Sequence, residues 1–231
     1  MATVTTLTQS ERLSQRQTRD GGGKSINNTE AKTFDKKLKD LVPQAVLSHL
    51  QKAFPDQQFK HEKKLSQESY ARIINPDYKP SSEKSFISPD GGIIYMKYGG
   101  IWVPILITEA KKQGTNDRRE LEGKCKQSYG NAIERAHKNF NELREFMSIF
   151  NVNYFPYLVF AYGCDFKEGC PIRDRLAAMT RYQDYNQFLI KNDGYHQRAS
   201  IFIQPEPFSD QFIVDKCLEA VEIVLQNFNL E

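Results

Sequence analysis

At 231 residues, 39% of them hydrophobic, the chain is long enough for one large domain with a substantial core. A net charge of only +3 excludes a uniformly basic nucleic-acid coat, so any anionic partner must be met by a local basic face. The four cysteines, Cys125, Cys164, Cys170 and Cys217, form no Cys-Xaa-Xaa-Cys and have no histidine at zinc-finger spacing, which argues against a zinc module and fits free thiols in a reducing compartment.

The N-terminus lacks a basic-then-apolar leader, and no apolar run approaches the length of a membrane span, so the expected location is the cytoplasm. Residues 1–30 are rich in Ser, Thr, Gln and Asn and carry Gly21-Gly22-Gly23, the composition of a flexible N-terminal arm. Arg12, Arg16, Arg19 and Lys24 leave two readings of that arm open, a phosphate-tracking segment or a solvated tail. Residues 31–231 are expected to fold as a single domain.

From Thr33 to Phe54, apolar residues recur at helical spacing, with a break or a fresh start at Pro43. Ser66 to Ile74 reads as a short helix, and Lys79 to Lys84 as a loop. The loop delivers the chain to two apolar runs, Ile93 to Tyr98 and Ile101 to Ile107, around Gly99-Gly100, which predict a β-hairpin with a two-residue turn. With Tyr98 facing Ile101, this register places Asp90 opposite Glu109, and Lys111 follows on the Glu109 face. Like charges directly opposite destabilise a sheet unless something sits between them. Mg²⁺ is the natural occupant, since it takes one or two carboxylates and completes its shell with water and phosphate. Lys111 would then orient the attacking water or neutralise charge on a phosphate under attack. A plain strand end with solvated charges is the alternative. Pro-Asp followed by Glu-Xaa-Lys resembles the PD-(D/E)XK nuclease superfamily.

After a charged loop, Thr115 to Lys126, a long helix is predicted from about Asn131. Asn131 and Glu134 have the offset of a capping box, and Ile133, Ala136, Phe140, Leu143, Met147 and Phe150 form its apolar stripe. Tyr154 to Tyr162 is nearly all apolar, as in a strand covered on both faces, so the helix between two core strands implies a βαβ crossover. Arg173, Arg175 and Arg181 among Tyr182 and Tyr185 make either a nucleic-acid surface or a solvated face. Ala199 to Gln204 reads as a strand and Asp210 to Phe228 as a terminal helix. The fold expected is α/β, a mixed central β-sheet flanked by helices.

Three segments in this order, Ser88-Pro89-Asp90-Gly91-Gly92, Glu109-Ala110-Lys111-Lys112-Gln113-Gly114 and Gly130-Asn131-Ala132-Ile133-Glu134-Arg135-Ala136-His137-Lys138-Asn139, together resemble the EcoRI family of type II restriction endonucleases. Phe155-Pro156-Tyr157-Leu158-Val159-Phe160, Asp174-Arg175-Leu176 and Arg12-Leu13-Ser14-Gln15 extend the likeness. The resemblance implies a restriction-endonuclease-like fold and a homodimer embracing double-stranded DNA, with Mg²⁺ held at Asp90 and Glu109 and Lys111 beside the attacked phosphate. It implies base recognition by Asn131, Ala132, Glu134, Arg135 and Arg175 at a palindromic site with an AATT core, and backbone contacts from Lys112, Gln113, Lys138 and Arg173. It also implies a cognate adenine methyltransferase in the host. The sequence departs from the family pattern in a short connection from Cys164 to Arg175 and in Gln127-Ser128-Tyr129 ahead of Gly130. A DNA-binding protein without catalysis, or a repair nuclease on the same fold, are the competing classes.

Overall fold

The computed structural model describes residues 33–66, 71, 75–79, 86–113, 123, 131–172, 174–176, 185–189 and 199–230. The expected arm, residues 1–30, lies outside them, as do most of the expected 66–74 helix and of the two expected loops. The chain divides into Met1–Phe34 and Asp35–Glu231, and the elements below belong to the second unit.

The unit opens with a π-helical turn, Lys37–Leu41, that runs directly into helix α1, Val42–Ala53. Pro43 accounts for the join. The Val42 N–H reaches back to the Lys37 carbonyl, and the next link of that wide ladder would fall to Pro43, which has no N–H to donate. α-Helical pairing therefore takes over with proline in the first turn, where a missing donor costs little. Val42, Val46 and Leu50, four residues apart, form its buried stripe.

Six strands make one mixed sheet in the order β1-β4-β5-β6-β8-β7. They are β1 (Phe59–Glu62), β4 (Gly92–Tyr98), β5 (Ile101–Lys112), β6 (Tyr157–Tyr162), β7 (Tyr185–Leu189) and β8 (Ala199–Gln204), while β2 (Leu65–Ser66) pairs with β3 (Phe86–Ile87) in a separate small ladder. The expected hairpin is β4-β5, turned by Gly99 and Gly100 at φ 57° and 85°, values that glycine adopts without strain. Its register corrects the one read from the sequence. Pairing runs from Tyr98↔Ile101 to Tyr95↔Pro104, then slips by one residue so that Ile94 faces Leu106 and Gly92 faces Thr108. Ile105 is the extra residue of a β-bulge, and it follows Pro104, which cannot donate to a ladder. In the shifted register Asp90 projects toward Ala110 instead of directly opposite Glu109.

From β5 the chain returns through helix α2, Asn131–Ser148, to β6, which lies parallel to β5 on one side and to β8 on the other. Every residue of β6 is buried, as its unbroken apolar run predicts. α2 covers one face: Ala136, Phe140, Leu143 and Met147 are buried as expected, together with Phe146, and the Phe140 ring lies 5.2 Å from Phe155 and 6.4 Å from Tyr157. Each such large apolar side chain contributes about 1.5–3 kcal/mol on burial. The opposite face carries Phe160 and Phe202, stacked at 5.2 Å, with Phe212 of the terminal helix α3, Asp210–Leu225, set edge-on against Phe202. Ser209 caps α3 by accepting the Phe212 N–H at 3.2 Å. The architecture is thus α/β, a mixed central sheet between helices. Among the described residues no helix is long and apolar enough to cross a membrane.

Candidate active site

The centre of the site lies at the end of β5 and the turn that enters β4. Asp90 belongs to no strand. It sits in a turn closed by the Gly92 N–H on the Pro89 carbonyl at 3.0 Å. Gly91 fits because it has no side chain: a Cβ there would come within 1.8 Å of Thr108 Oγ1. Its N–H donates to the Thr108 carbonyl at 2.9 Å, and its own carbonyl lies 2.9 Å from Nε2 of His61 on β1. Held from both neighbouring strands, the turn delivers the Asp90 carboxylate to the Ala110 N–H (3.2 Å) and the Asp90 N–H to Glu109 Oε2 (3.0 Å).

Glu109 and Lys111 alternate with Ala110 and so share one face of β5. Lys111 Nζ donates to Glu109 Oε1 and to the Ala110 carbonyl at 3.1 Å, and lies 3.5 Å from Asp90 Oδ2. A second donor, Asn139 Nδ2 of α2, meets the same Glu109 oxygen at 2.7 Å. Glu109 is 1% exposed. Burial, reinforced by the Asp90 charge, pushes its carboxyl up to about 7, although Lys111 and the Asp90 N–H pull the other way. Asp35, half-buried just ahead of the π turn, also stands above the usual carboxylate range, first through burial and then through Asp90, with Lys39 and Lys111 opposing. Two acids therefore surround a single ammonium, with a third within electrostatic reach.

A family model described as restriction endonuclease EcoRI matches residues 20–172. The chain belongs to the EcoRI restriction endonuclease family. It is 35% identical over 172 residues to the type II restriction enzyme RsrI of Cereibacter sphaeroides, a match covering 68% of this chain and 61% of that protein. To the type II restriction enzyme EcoRI of Escherichia coli it is 34% identical over 172 residues, with the same 68% and 61% covered. The matched region spans less than two thirds of either relative.

The EcoRI-family match takes in Asp90, Glu109, Lys111 and all of α2 and stops short of Arg173 and Arg175. Of the residues singled out from the sequence, Asp90, Glu109 and Lys111 come together. Asn131 and Ala132 open α2, and Glu134 and Arg135 stand exposed in its first turns. Lys138 is exposed, 3.5 Å from Glu142. Lys112 lies over the Tyr162 ring, with its ammonium 5.5 Å from the centroid. Gln113 is turned inward: its N–H donates to the Tyr162 carbonyl at 2.9 Å, and its side-chain oxygen is buried without a hydrogen-bond partner among the described residues. Arg175 is exposed, and Arg173 lies outside the described residues. Sequence reasoning passed over Asn139, Asp35 and His61. Only Asn139 had a usable signal, since it falls four and eight residues after Arg135 and Asn131 on one helical stripe.

Proposed function

We propose that the chain is a type II restriction endonuclease that makes Mg²⁺-dependent double-strand cuts in DNA at a palindromic site with an AATT core. The observation that carries this reading is the Asp90–Glu109–Lys111 cluster, a buried acid pushed up to about 7 beside a second carboxylate with one ammonium between them. That donor set fits a divalent cation. Among the described residues no third His, Cys, Asp or Glu joins the pair closely enough to complete an all-protein cage, which suits Mg²⁺, a cation that keeps waters and takes phosphate oxygens. Asp90 and Glu109 would hold it, and when bound it supplies Lewis-acid charge to a phosphoryl oxygen.

The chain's own residues do the rest. Lys111, fixed by Glu109 and the Ala110 carbonyl, presents a positive charge where negative charge grows on the attacked phosphate. The clamped Pro89–Gly92 turn keeps Asp90 in place without reorganisation at the moment of reaction. The start of α2 is electropositive and suits the major groove of DNA, where Asn131 would read adenine through N6 and N7 and Ala132, Glu134, Arg135 and Arg175 would complete the network. Lys112, Gln113, Lys138 and Arg173 would meet the backbone, Gln113 only after turning outward. A cytoplasmic homodimer, working alongside a host adenine methyltransferase, completes the proposal.

Incubation with a long DNA of known sequence and Mg²⁺, followed by sequencing of the ends, tests it. Defined ends sharing one palindrome are expected. Site-specific binding without cuts would point to a DNA-binding protein on the same fold, and ends at branched or damaged positions to a repair nuclease.

A further inference from the structure

Among the described residues, Glu109 is the acid of the cluster that accepts a hydrogen bond from α2. Its Oε1 accepts both Lys111 Nζ and Asn139 Nδ2, the latter at 2.7 Å, and its Oε2 accepts the Asp90 N–H at 3.0 Å. The carboxylate plane is therefore set by three donors from three elements: its own strand, the Asp90 turn and α2. Remove the amide and, among the described residues, Oε1 keeps only Lys111, whose flexible stem fixes its direction poorly. Asn139 lies on the helical stripe that carries Asn131 and Arg135, about 12 Å along the axis from the helix start. α2 packs through Ala136, Phe140, Leu143, Phe146 and Met147, buried positions on both sides of Asn139 along the helix.

We propose that Asn139 is a positioning residue that ties the seating of α2 to the orientation of the Glu109 carboxylate. The idea rests on the nuclease reading above and adds a route for specificity. A duplex that seats α2 correctly leaves the Asn139–Glu109 bond intact and Glu109 aimed at the cation position. A duplex with a wrong base shifts α2, lengthens that bond and lets Glu109 turn toward Lys111. Discrimination is then greater in cleavage than in binding.

The test compares wild type with Asn139→Leu, which keeps the shape without the donor, and Asn139→Gln, which keeps the donor on a longer arm. Three readouts are taken on the full chain. They are calorimetric titration with Mn²⁺ alone, the ratio of binding between a cleaved duplex and its single-base variants in Ca²⁺, and the same ratio for cleavage in Mg²⁺. Outer partners of metal ligands typically govern 10- to 100-fold in metal affinity. Asn139→Leu is expected to weaken Mn²⁺ binding by about tenfold, to leave the binding ratio within about twofold and to reduce the cleavage ratio by about tenfold. Asn139→Gln is expected to recover most of both losses. Equal loss of binding and cleavage discrimination would make Asn139 a recognition residue, and unchanged Mn²⁺ affinity, or a Gln variant as impaired as Leu, would also overturn the proposal. If wild type neither binds nor cuts any DNA, the nuclease reading fails, while the Mn²⁺ titrations still report on the Asn139–Glu109 link.

Discussion

Glu109 is costly to keep in this fold. An acid held up to about 7 retains its proton, between about pH 4.5 and 7, when the unfolded chain has already released it. The folded state binds the extra proton in that window, so stability falls as pH rises through it and levels off above. The loss amounts to roughly 3 kcal/mol at most, from the size of the shift. Glu109→Gln removes the titration. Its melting temperature without metal is expected to drop less than the wild type's between pH 5 and pH 8, and parallel pH curves for the two proteins would contradict the account. Lys111→Ala addresses the chemistry instead. We expect cleavage to fall a hundredfold or more with the fold retained, since the ammonium sits at a strand end and not in the core. Near-normal cutting by this variant would remove Lys111 from the mechanism. Of the three acids near the site, Asp90 and Glu109 were readable in the sequence because a hairpin brings them together locally. Asp35 was not, because its approach depends on how the leading helix packs, which no spacing encodes.

The elements show where sequence reading succeeds and where it stops. The β4-β5 hairpin, α2, β6, β8 and α3 were each announced by a strong local signal: Gly99-Gly100, the apolar stripe of α2, the unbroken run of β6. The bulge was not, because Pro104 says only that a ladder bond is missing and leaves open how the neighbouring strands adjust. Phe59–Glu62 mixes Lys, His and Glu into an edge strand and so carries no alternation. The proposed function puts specificity on α2. If Asn131 reads adenine, Asn131→Ala should cost roughly 1–3 kcal/mol of discrimination per contact while weak, salt-dependent binding persists. Methylation of adenine N6 should block cutting, since it removes a donor hydrogen and adds bulk in the groove. A panel of duplexes with AATT cores and varied flanks, made with and without N6-methyladenine, measures both effects. Unchanged preference in the variant, or free cutting of methylated sites, would reduce Asn131 to a helix cap.

For the whole molecule, cutting both strands of a palindrome calls for two sites related by a two-fold axis, which a C₂ dimer supplies. Light scattering without DNA is expected to give twice the chain mass at micromolar concentration, and a monomer mass with cleavage linear in enzyme would argue against a dimer. The strand order also sets a sequence of assembly. Asp90 and Glu109 are joined by a single tight hairpin, whereas β6 reaches β5 only after the chain has run out through α2 and back, and β8 comes later still. Local pairings close quickly and parallel ones slowly. The two acids therefore meet in water, early in folding, and their charges become expensive only when β6 and α2 close over Glu109. On that order, the slow step of folding is the one that dehydrates the Glu109 carboxylate.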